Sequence, residues 1–540
     1  MQLFLHCQPS FICRLQCTKK RKTHVSFSKV VSKMEQGQSV PCPLLDKLVE
    51  ESRRIQASFH FPGHKRGRAI PSNMRDSFGP SIFSADLPEL PALDNLSSPT
   101  GVIKEAEELA AKAFSAGKTW FLVNGATSGV LAAILSCCRP NRKVLIPRNL
   151  HQSVLYGFIL CGANPVYINP NYDSKYNIAF NISVSSIQQR LHEHQGEIDA
   201  LVIVSPSYYG YVSNIAEIAK VCRKHNVILI VDEAHGAHFT FHPSFPCPAL
   251  RCGADIVIHS THKCLTSFTQ TGMLHVSSEA LNSGRLDANR ISSALQLVQT
   301  SSPNYLLLAS LDASRQQFEV QGKEMLENAL YLSDIARNQL EKIPGFQVLG
   351  KTSFDECFDP TRICLVMNED YWACNGFDID QLLIEHYGVY AELPLFNHLL
   401  FVISPGNVES DVRKLVNALT EISMKMKKDA CSEKDKCASQ KYYEEWRNLG
   451  TTVSRLFERP FPIQRMSPRD AFYHPNRELV KLSNSHGRIG ACNVSCYPPG
   501  IPILLPGEEI SSDALTVIEK LKEYGASMTG LNEEDQIQVV

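Results

Sequence analysis

Two residues that each follow a short apolar run have the chemistry of a catalytic pair. Lys263 closes the run Ser260 to Lys263 after the apolar residues 256–258, and Asp232 follows the apolar residues 227–231. In a chain that alternates strands and helices, this pair is what pyridoxal phosphate (PLP) requires. The amine would form a Schiff base with the PLP aldehyde, and the carboxylate would keep the pyridine nitrogen protonated. Either residue alone would be read equally well as a solvated surface charge.

A glycine-containing turn supplies a candidate phosphate site. Residues Asn124–Gly129, with the sequence Asn-Gly-Ala-Thr-Ser-Gly, lie between an apolar run and a predicted helix. Free N–H groups at a helix start bind phosphate, and glycines allow the tight turn. An ordinary N-capped helix would use the same residue types. The run lacks the lysine of an NTPase phosphate loop and the glycine spacing of a dinucleotide site.

Three further side chains could reach the same ligand. Ser260 and His262 precede Lys263 in one run, so both could contact the phosphate. His151 begins a predicted helix after a strand, at the edge of a parallel sheet where ligands bind. Its ring could stack on the pyridine, although a histidine at this position can equally cap the helix.

Composition excludes several classes of function. The 540 residues are 44% hydrophobic and 20% charged, which is typical of a globular chain with a large core. A formal net charge of −1 gives no electrostatic basis for binding nucleic acid or an anionic membrane, and no apolar run has membrane-spanning length. The 18 cysteines lack the C-x-x-C spacing of a zinc site. We therefore predict no metal, and free thiols in a reducing compartment.

The N-terminal segment differs in composition from the rest of the chain. It is rich in lysine, arginine, serine and threonine, and its first acidic residue is Glu35. Basic, hydroxylated segments without acidic residues are typical of organellar transit peptides. We expect residues 1–40 to be a chloroplast transit peptide or a disordered segment. The alternative is a disordered basic tail on a cytoplasmic protein.

Hydrophobic pattern divides the remaining chain into four parts. We expect an N-terminal arm at 41–98, rich in proline and glycine and wrapped over a partner, with a helix at 44–56. A large α/β domain with a mostly parallel sheet follows at 99–345. A small α/β domain with a charged linker is expected at 346–445, and a C-terminal domain at 446–540. In the large domain, the pattern predicts strands at 120–123, 143–146, 166–168, 201–204, 227–231 and 256–258.

Taken in chain order, these motifs resemble the Orn/Lys/Arg decarboxylases of the aspartate-aminotransferase (type I) PLP fold. The most specific stretch is Ser-Thr-His-Lys at 260–263, followed by Thr-Gln-Thr-Gly at 269–272. The other matching stretches are 61–65, 86–94, 124–129, 148–151, 205–210, 232–235, 300–303 and 497–502. The length is similar to that of the short members, which lack the extra N-terminal domain of the large bacterial inducible enzymes.

The resemblance implies a role for each motif residue. Lys263, Asp232 and His151 would be catalytic: the lysine that carries PLP, the partner of the pyridine nitrogen and the imidazole stacked on the ring. His235 would help to hold the face of the cofactor. The phosphate would be bound by Ala126, Thr127, Ser128, Ser260 and His262.

The sequence departs from the family pattern at three positions. Ala126 stands where the family usually has serine, which removes a hydroxyl but leaves the backbone N–H, and Ala92 replaces a usual glycine. Cys492 falls where many members have an acidic or amide residue. None of these changes removes a group that is needed to break the bond between Cα and the carboxylate.

The resemblance implies PLP-dependent decarboxylation of lysine, ornithine or arginine, giving CO2 and a precursor for polyamine biosynthesis. The alternatives are an aminotransferase on the same fold and a non-catalytic regulatory paralogue; a nucleotide-binding protein is disfavoured by the missing phosphate-loop lysine. A desolvated substrate cation needs a carboxylate partner. From their positions in the motifs, the candidates for this carboxylate are Glu89, Asp94 and Glu392.

The resemblance also implies a homodimer or a multiple of dimers. An arm without a core of its own would expose apolar surface on a monomer. The loop 300–305 could reach the phosphate of a neighbouring subunit. The exposed side chains would be Phe59, Phe61, Phe78 and Phe83.

Overall fold

Apolar runs separated by turn residues form a seven-stranded sheet at the centre of the computed structural model. The structure describes residues 40–173, 175–350, 357–427, 433–457, 462–496 and 501–540. The expected transit peptide therefore lies outside the described residues, apart from Val40, as do residues 497–500 of the family match at 497–502. No helix in these described ranges is long and apolar enough to cross a membrane.

The N-terminal arm packs against the core of its own chain. Its helices are α1 (Pro43–Arg54), α2 (Ser72–Phe78) and α3 (Pro80–Ala85), and α4 (Val102–Ala113) follows. Leu44 and Leu48 on α1 are buried in one apolar cluster with Leu87 and Leu93. The arm is therefore attached to the core of its own chain, and its expected packing over a partner stays a prediction. Four leucines spaced along the arm supply enough apolar surface to attach it.

The large domain alternates strands and helices as the pattern predicts. Its elements, in chain order, are β1 (Lys118–Leu122), α5 (Gly125–Cys137), β2 (Lys143–Pro147), α6 (Gln152–Cys161), β3 (Asn164–Ile168), β4 (Tyr172–Asp173), β5 (Ile178–Ala179), α7 (Val184–Glu193), β6 (Ile198–Val204), α8 (Ile215–Lys224), β7 (Ile228–Asp232), β8 (Ile256–His259), α9 (Thr261–Cys264), β9 (Gly272–Val276), α10 (Ser278–Asn282), α11 (Ala288–Val298) and α12 (Tyr305–Leu340). A 3₁₀ turn spans Ala237–Phe241.

The central sheet has the order β1-β9-β8-β7-β6-β2-β3. Strands β3, β2, β6, β7 and β8 pair in parallel, whereas β9 pairs antiparallel with both β8 and β1. The predicted, mostly parallel sheet is confirmed. Strand β9 was not predicted, because its sequence, Gly-Met-Leu-His-Val, is short and overlaps the end of the polar Thr-Gln-Thr-Gly motif.

The small domain is built on a four-stranded antiparallel sheet of order β10-β11-β13-β12. Its elements are β10 (Phe346–Val348), β11 (Arg362–Met367), α13 (Gly376–Leu382), β12 (Leu393–Pro394), β13 (His398–Val402) and α14 (Glu409–Met426), with a π-type turn at Leu383–Tyr387. The helix α15 (Glu433–Phe457) follows in the stretch where the charge pattern predicts a solvated helix or linker.

The C-terminal region combines two small sheets with helices. Its elements are α16 (Pro468–Phe472), β14 (Glu478–Lys481), β15 (Val494–Cys496), β16 (Ile501–Leu504), α17 (Ser512–Glu523), β17 (Met528–Thr529) and β18 (Gln536–Val539), with a 3₁₀ turn at Leu482–Asn484. Strand β14 pairs with β18, and β15 lies between β16 and β17.

A buried ion pair joins the C-terminal region to the large domain. Arg148, which follows β2, donates to the carboxylate of Glu508, and both side chains are almost completely buried. The same guanidinium donates to the carbonyl of Ile503 at 2.9 Å and lies over the ring of Tyr167. Glu508 also accepts from the backbone N–H of Leu505 at 2.9 Å. Each charge is thus hydrogen bonded as well as paired, which a buried ion pair requires.

Candidate active site

The predicted site residues follow strands whose carboxyl ends lie at one edge of the sheet. Asp232 ends β7, Ser260 follows β8, and His151 follows β2 at the start of α6. Strand β1 runs in the same direction as β8 because both are antiparallel to β9. The turn at Gly125 therefore opens at this edge too. The sheet brings four separate sequence motifs together at the place where α/β sheets bind ligands.

Lys263 lies in the short helix α9 with its side chain open to solvent. Its Nζ is 3.1 Å from Nε2 of His235. Protein atoms around the amine partly desolvate it and so lower the pKa of Lys263 although the side chain remains accessible, and the negative charge of Asp232 opposes this shift. An amine with a lowered pKa is neutral more often at a given pH, which favours nucleophilic attack on an aldehyde.

His151 has both properties that the sequence left open, because it caps a helix and also faces the other site residues. Its Nδ1 accepts from the backbone N–H of Ser153 at 3.2 Å and lies 2.8 Å from the Ser153 hydroxyl. A nitrogen that accepts from an N–H carries no proton, so the ring proton is on Nε2. Burial lowers the pKa of His151, while Asp232 raises it and Lys263 lowers it further. We conclude that the ring is neutral and close to both charges.

His235 lies against the Lys263 amine as a neutral imidazole. Burial and the charge of Lys263 hold the pKa of His235 well below its ordinary value. The ring of Tyr208 packs edge-on against it at a centroid distance of 4.8 Å. Its Nδ1 is buried without a hydrogen-bond partner in the described part of the chain.

The glycine-containing turn has the backbone of an anion site. Gly125 adopts a φ of +74°, and the first turn of α5 receives no side-chain cap from Asn124. A Cβ on Gly272 would lie 2.7 Å from the carbonyl of His259 and 3.2 Å from the nitrogen of Ala126. Gly272 thus allows β9 to pass close to the helix start, and the uncapped N–H groups of α5 are the natural phosphate donors.

The other predicted phosphate ligands differ in what their side chains already bind. Thr127 is exposed, and Ser260 is buried at the start of α9. Ser128 is buried and donates its hydroxyl to the carbonyl of Gly125 at 2.8 Å, so this hydroxyl would have to rotate to reach a phosphate. His262 Nδ1 donates to the carbonyl of Thr271 at 2.7 Å, which leaves Nε2 as its second polar atom.

These residues fit PLP. The site has a lysine amine for the aldehyde, a buried carboxylate at Asp232 and uncapped N–H groups for the phosphate. Two buried polar atoms without partners, Nδ1 of His235 and Oδ1 of Asn149, lie on the segments that follow β7 and β2. Buried polar atoms of this kind are usually paired, so a polar ligand is expected beside them. In the described ranges no group of histidine, cysteine and acidic residues is arranged to hold a metal ion.

A buried chain of hydrogen bonds begins at the residue after Asp232. Oε2 of Glu233 accepts from Nε2 of His259 at 2.8 Å, and Oε1 accepts from the backbone of Ala249 at 3.0 Å. Nδ1 of His259 lies 3.1 Å from Nε2 of His275, whose Nδ1 lies 2.8 Å from the Thr119 hydroxyl. With Glu233 as a carboxylate, each ring donates through Nε2 and accepts at Nδ1, and Thr119 donates the last hydrogen bond. The chain ties β7, β8, β9 and β1 together under the site.

Only one of the three nominated carboxylates faces the Lys263 cleft. Glu392 accepts from the hydroxyl of Tyr208, and its charge acts on Lys263. Asp94 instead accepts from several backbone N–H groups at the start of α4, including that of Gly101 at 2.7 Å. Glu89 accepts from the side chain of Asn95 and the backbone of Leu96. Local donors already occupy oxygens of both carboxylates, and their assignment as substrate partners stays a prediction.

Two further side chains of the site were not predicted from the sequence. Tyr208 was quoted only as part of a motif, and it contacts both His235 and Glu392. Arg362 was not noticed, although its Nη2 donates to the carbonyl of His235 at 3.2 Å. An arginine at the first position of an otherwise apolar strand is the signal that could have identified it.

Comparisons with known proteins agree with this geometry. The chain matches the model described as Orn/Lys/Arg decarboxylase, major domain, over residues 42–389, and that of the C-terminal domain over residues 451–536. It is 33% identical over 492 residues to the arginine decarboxylase of Bacillus subtilis, covering 90% of this chain and 95% of the relative. It is 34% identical over 494 residues to the arginine decarboxylase of Bacillus anthracis, covering 90% and 94%.

Solved structures share the fold. The constitutive lysine decarboxylase of Escherichia coli has a TM-score of 0.78 at 20% identity, covering 93% of this chain and 82% of that one. Lysine decarboxylase A of Pseudomonas aeruginosa has a TM-score of 0.78 at 21% identity, covering 92% and 80%. At such identities the likeness shows the fold alone, and this fold is the type I PLP fold expected from the sequence.

The role of Asp232 can be tested by replacing it with asparagine. Asp232→Asn keeps the size of the side chain but removes the charge that would stabilise a pyridinium. We expect turnover to fall by about 10²- to 10³-fold while PLP still binds, because one preorganised electrostatic group is lost. Turnover and the absorption spectrum of the bound cofactor are the measurements.

Asp513→Asn provides the matched control for this substitution. Asp513 pairs with Arg455 in an exposed ion pair in the C-terminal region, so the same change of charge should leave turnover unchanged. Near-normal turnover of a folded Asp232→Asn variant would mean that Asp232 is not the partner of the ring.

Proposed function

The chain belongs to the Orn/Lys/Arg decarboxylase family, and we propose that it removes the α-carboxylate of a basic amino acid with PLP carried by Lys263. Family membership makes it an amino-acid decarboxylase, a carbon–carbon lyase of the PLP-dependent kind. The observation that carries the proposal is the Lys263 amine at the sheet edge, 3.1 Å from a neutral His235 and within reach of the Asp232 charge. The product would be CO2 and an amine that enters polyamine biosynthesis.

Each site residue has a distinct task in this proposal. PLP, when bound, supplies an electron-withdrawing pyridinium that stabilises the negative charge left on Cα as CO2 departs. Asp232, buried at the end of β7, would hold the proton on the pyridine nitrogen. His151, whose ring plane is fixed by Ser153, would keep the pyridine flat against one face. His235 accepts a hydrogen bond from the Lys263 amine and thereby fixes where that amine lies.

We infer that arginine is the preferred substrate and that Glu392 receives its guanidinium. Relatives at 33–34% identity are named arginine decarboxylases, whereas relatives at 24–25% are named lysine decarboxylases. A carboxylate binds a guanidinium through two parallel hydrogen bonds, which favours arginine over an ammonium substrate. Glu392 already accepts from Tyr208, so its orientation is fixed before substrate binds.

CO2 release from arginine, lysine and ornithine tests this proposal directly. We expect arginine to be used fastest by the PLP-loaded protein. Lys263→Ala should abolish both CO2 release and the borohydride-stable adduct with PLP. Glu392→Gln should raise the KM for arginine far more than it lowers kcat, because it weakens cation binding and leaves the reacting bonds unchanged.

Other outcomes of the same assay separate the alternatives. Formation of a keto acid without CO2 would indicate an aminotransferase, and no turnover of any of the three amino acids would indicate a non-catalytic paralogue. Faster turnover of lysine or ornithine would overturn the arginine assignment and leave the decarboxylase assignment intact. An adduct that persists in Lys263→Ala would place PLP on another lysine.

We propose that the protein works as a homodimer or a multiple of dimers. The support is apolar surface on the arm, where Phe59 and Phe61 are 96% and 81% exposed and Phe78 is also exposed. Phe83 does not contribute, because it is buried against its own chain. Phe268, which follows the Lys263 helix, exposes half of its surface as well. Exposed aromatic side chains in this number favour burial against a second copy.

Light scattering of the purified protein tests the assembly. The double variant Phe59→Ser, Phe61→Ser should shift the molar mass from dimer towards monomer and weaken PLP retention. Point variants are used because α1 is part of the chain's own core, so that removing the whole arm would disturb the fold. Tyr473→Ser removes an exposed aromatic ring of the C-terminal region and should leave the mass unchanged. A wild-type chain that is a fully active monomer at assay concentration would contradict the proposal.

We also propose that residues 1–40 direct the chain to the chloroplast. The support is the basic, hydroxylated composition with no acidic residue before Glu35. A fluorescent protein fused to residues 1–40 should accumulate in plastids, and a chain that starts at residue 41 should keep its decarboxylase activity. Diffuse cytoplasmic fluorescence of the fusion would support the basic-tail alternative.

A further inference from the structure

Four ionisable side chains that have no task in the proposed function meet beside the Lys263–His235 pair. His238 lies in the turn Ala237–Phe241, Cys264 directly follows Lys263, and Asp359 and Arg362 lie at the start of β11. All four are at most 5% exposed. We refer to them as the Cys264 cluster.

Arg362 is in contact with several parts of the cluster at once. Its Nη2 donates to the carbonyl of His235 at 3.2 Å and lies 3.6 Å from Sγ of Cys264. Its Nε lies 3.5 Å from Oδ2 of Asp359. The same Oδ2 lies 3.2 Å from Nε2 of His238, and the charge of His238 acts on the Cys264 thiol. The four side chains thus form one continuous set of contacts.

The backbone around the cluster is shaped to hold it. Gly210 has a φ of +97°, and a Cβ there would lie 2.8 Å from Cγ of Arg362. Asp359 donates its N–H to the carbonyl of Gly210 at 2.9 Å. Oδ1 of Asp359 accepts from the backbone N–H and the hydroxyl of Thr361 at 3.0 and 2.6 Å. The glycine of the 205–210 motif is therefore needed for the close approach of Arg362.

The guanidinium of Arg362, which lies 3.6 Å from Sγ of Cys264, favours the ionised form of this thiol. Arg362 is a cation, and Asp359 is an anion whose pKa is lowered to about 2, because His238 and Arg362 outweigh the opposing effect of burial. Burial opposes charge on His238, but Asp359 and Cys264 raise its pKa to about 9. When His238 is protonated, two cations and one anion would leave a net positive charge in a buried site, which is costly. His238 and Arg362 lower the pKa of Cys264 despite burial, and a thiolate there makes the cluster neutral.

We propose that Cys264 is an anionic residue whose thiolate, held by Arg362 beside His238, sets the charge of the Lys263 amine. The inference deepens the proposed function and rests on it, since Lys263 is taken as the amine that carries PLP. The thiolate, Asp232 and Glu392 favour the ammonium form of Lys263, while Arg362 opposes it. The neutral His235 lies on the other side of the amine. The balance decides at which pH the amine becomes neutral and can bind PLP.

The first test measures the thiolate in the full chain. A thiolate has an ultraviolet absorption band that a thiol lacks. The difference spectrum between the wild-type chain and Cys264→Ser should therefore show this band at neutral pH and lose it in acid. Cys222→Ser is the matched control, because Cys222 is a buried thiol whose pKa burial raises to about 12. Its difference spectrum should show no band. The acid titration of the wild-type chain gives the same information without any variant.

The second test measures how PLP capture by the full-length, cofactor-free chain depends on pH. Capture needs the neutral amine, and loss of a neighbouring anion lowers the pKa of Lys263. The profile of Cys264→Ser should therefore move about one pH unit towards acid. Cys264→Asp restores a negative charge in a similar volume and should return the profile towards that of wild type. A purely structural role would reduce capture without moving its pH dependence.

Two results would overturn the inference. One is the absence of a thiolate band in the wild-type chain at neutral pH; the other is an identical capture profile for wild type and Cys264→Ser. A wild-type chain that captures no PLP at any pH would instead contradict the proposed function and with it the role of Cys264 towards Lys263. In that case the ultraviolet band would still show whether the Cys264 thiol is ionised.

Discussion

The strand β9 is hydrogen bonded on both sides in the antiparallel sense, to β1 and to β8. The arrangement of the site depends on this strand, because it sets the distance between the phosphate turn after β1 and the lysine segment after β8. Gly272 begins the strand and leaves no room for a side chain between the carbonyl of His259 and the nitrogen of Ala126. The buried hydrogen-bond chain from Glu233 to Thr119 crosses the same strand through His275. Close backbone contact and a buried hydrogen-bond network therefore fix the phosphate turn and the lysine segment relative to each other.

Local sequence signals predicted most of the large domain and the principal site residues. Apolar runs bounded by polar turns mark strands whatever their partners are, and their carboxyl ends gather at one edge of a parallel sheet. Lys263, Asp232 and His151 were found because each lies within five positions of the end of such a run. The helix α6 also begins where the sequence predicts, since His151 caps it. These signals act over a few residues, so no tertiary information was needed.

The parts that the sequence did not predict depend on contacts between distant segments. Arg362 reaches the site from the small domain, nearly one hundred residues after Lys263, and nothing in its neighbourhood marks the carbonyl it will bind. Asp94 has the side-chain chemistry of a substrate ligand, but its carboxylate already accepts from backbone N–H groups at the start of α4. The arm at 41–98 looks like a segment without a core until α12 is folded. Arg315 on α12 then donates to the carbonyl of Pro41 at 2.7 Å. Each of these outcomes depends on contacts that form only in the folded chain, and the hydrophobic periodicity of the sequence does not encode such contacts.

The ion pair between Arg148 and Glu508 has a consequence for how such chains can change over generations. The two regions that it joins match separate family models, over residues 42–389 and 451–536. They therefore resemble domains that recombination could exchange. A recombinant that took its C-terminal region from a relative without the acid would leave the guanidinium of Arg148 buried and unmatched. Such a loss costs about 3–5 kcal/mol, a large part of the stability of most domains. The arginine and the glutamate are therefore expected to be inherited together, although 360 positions of sequence separate them.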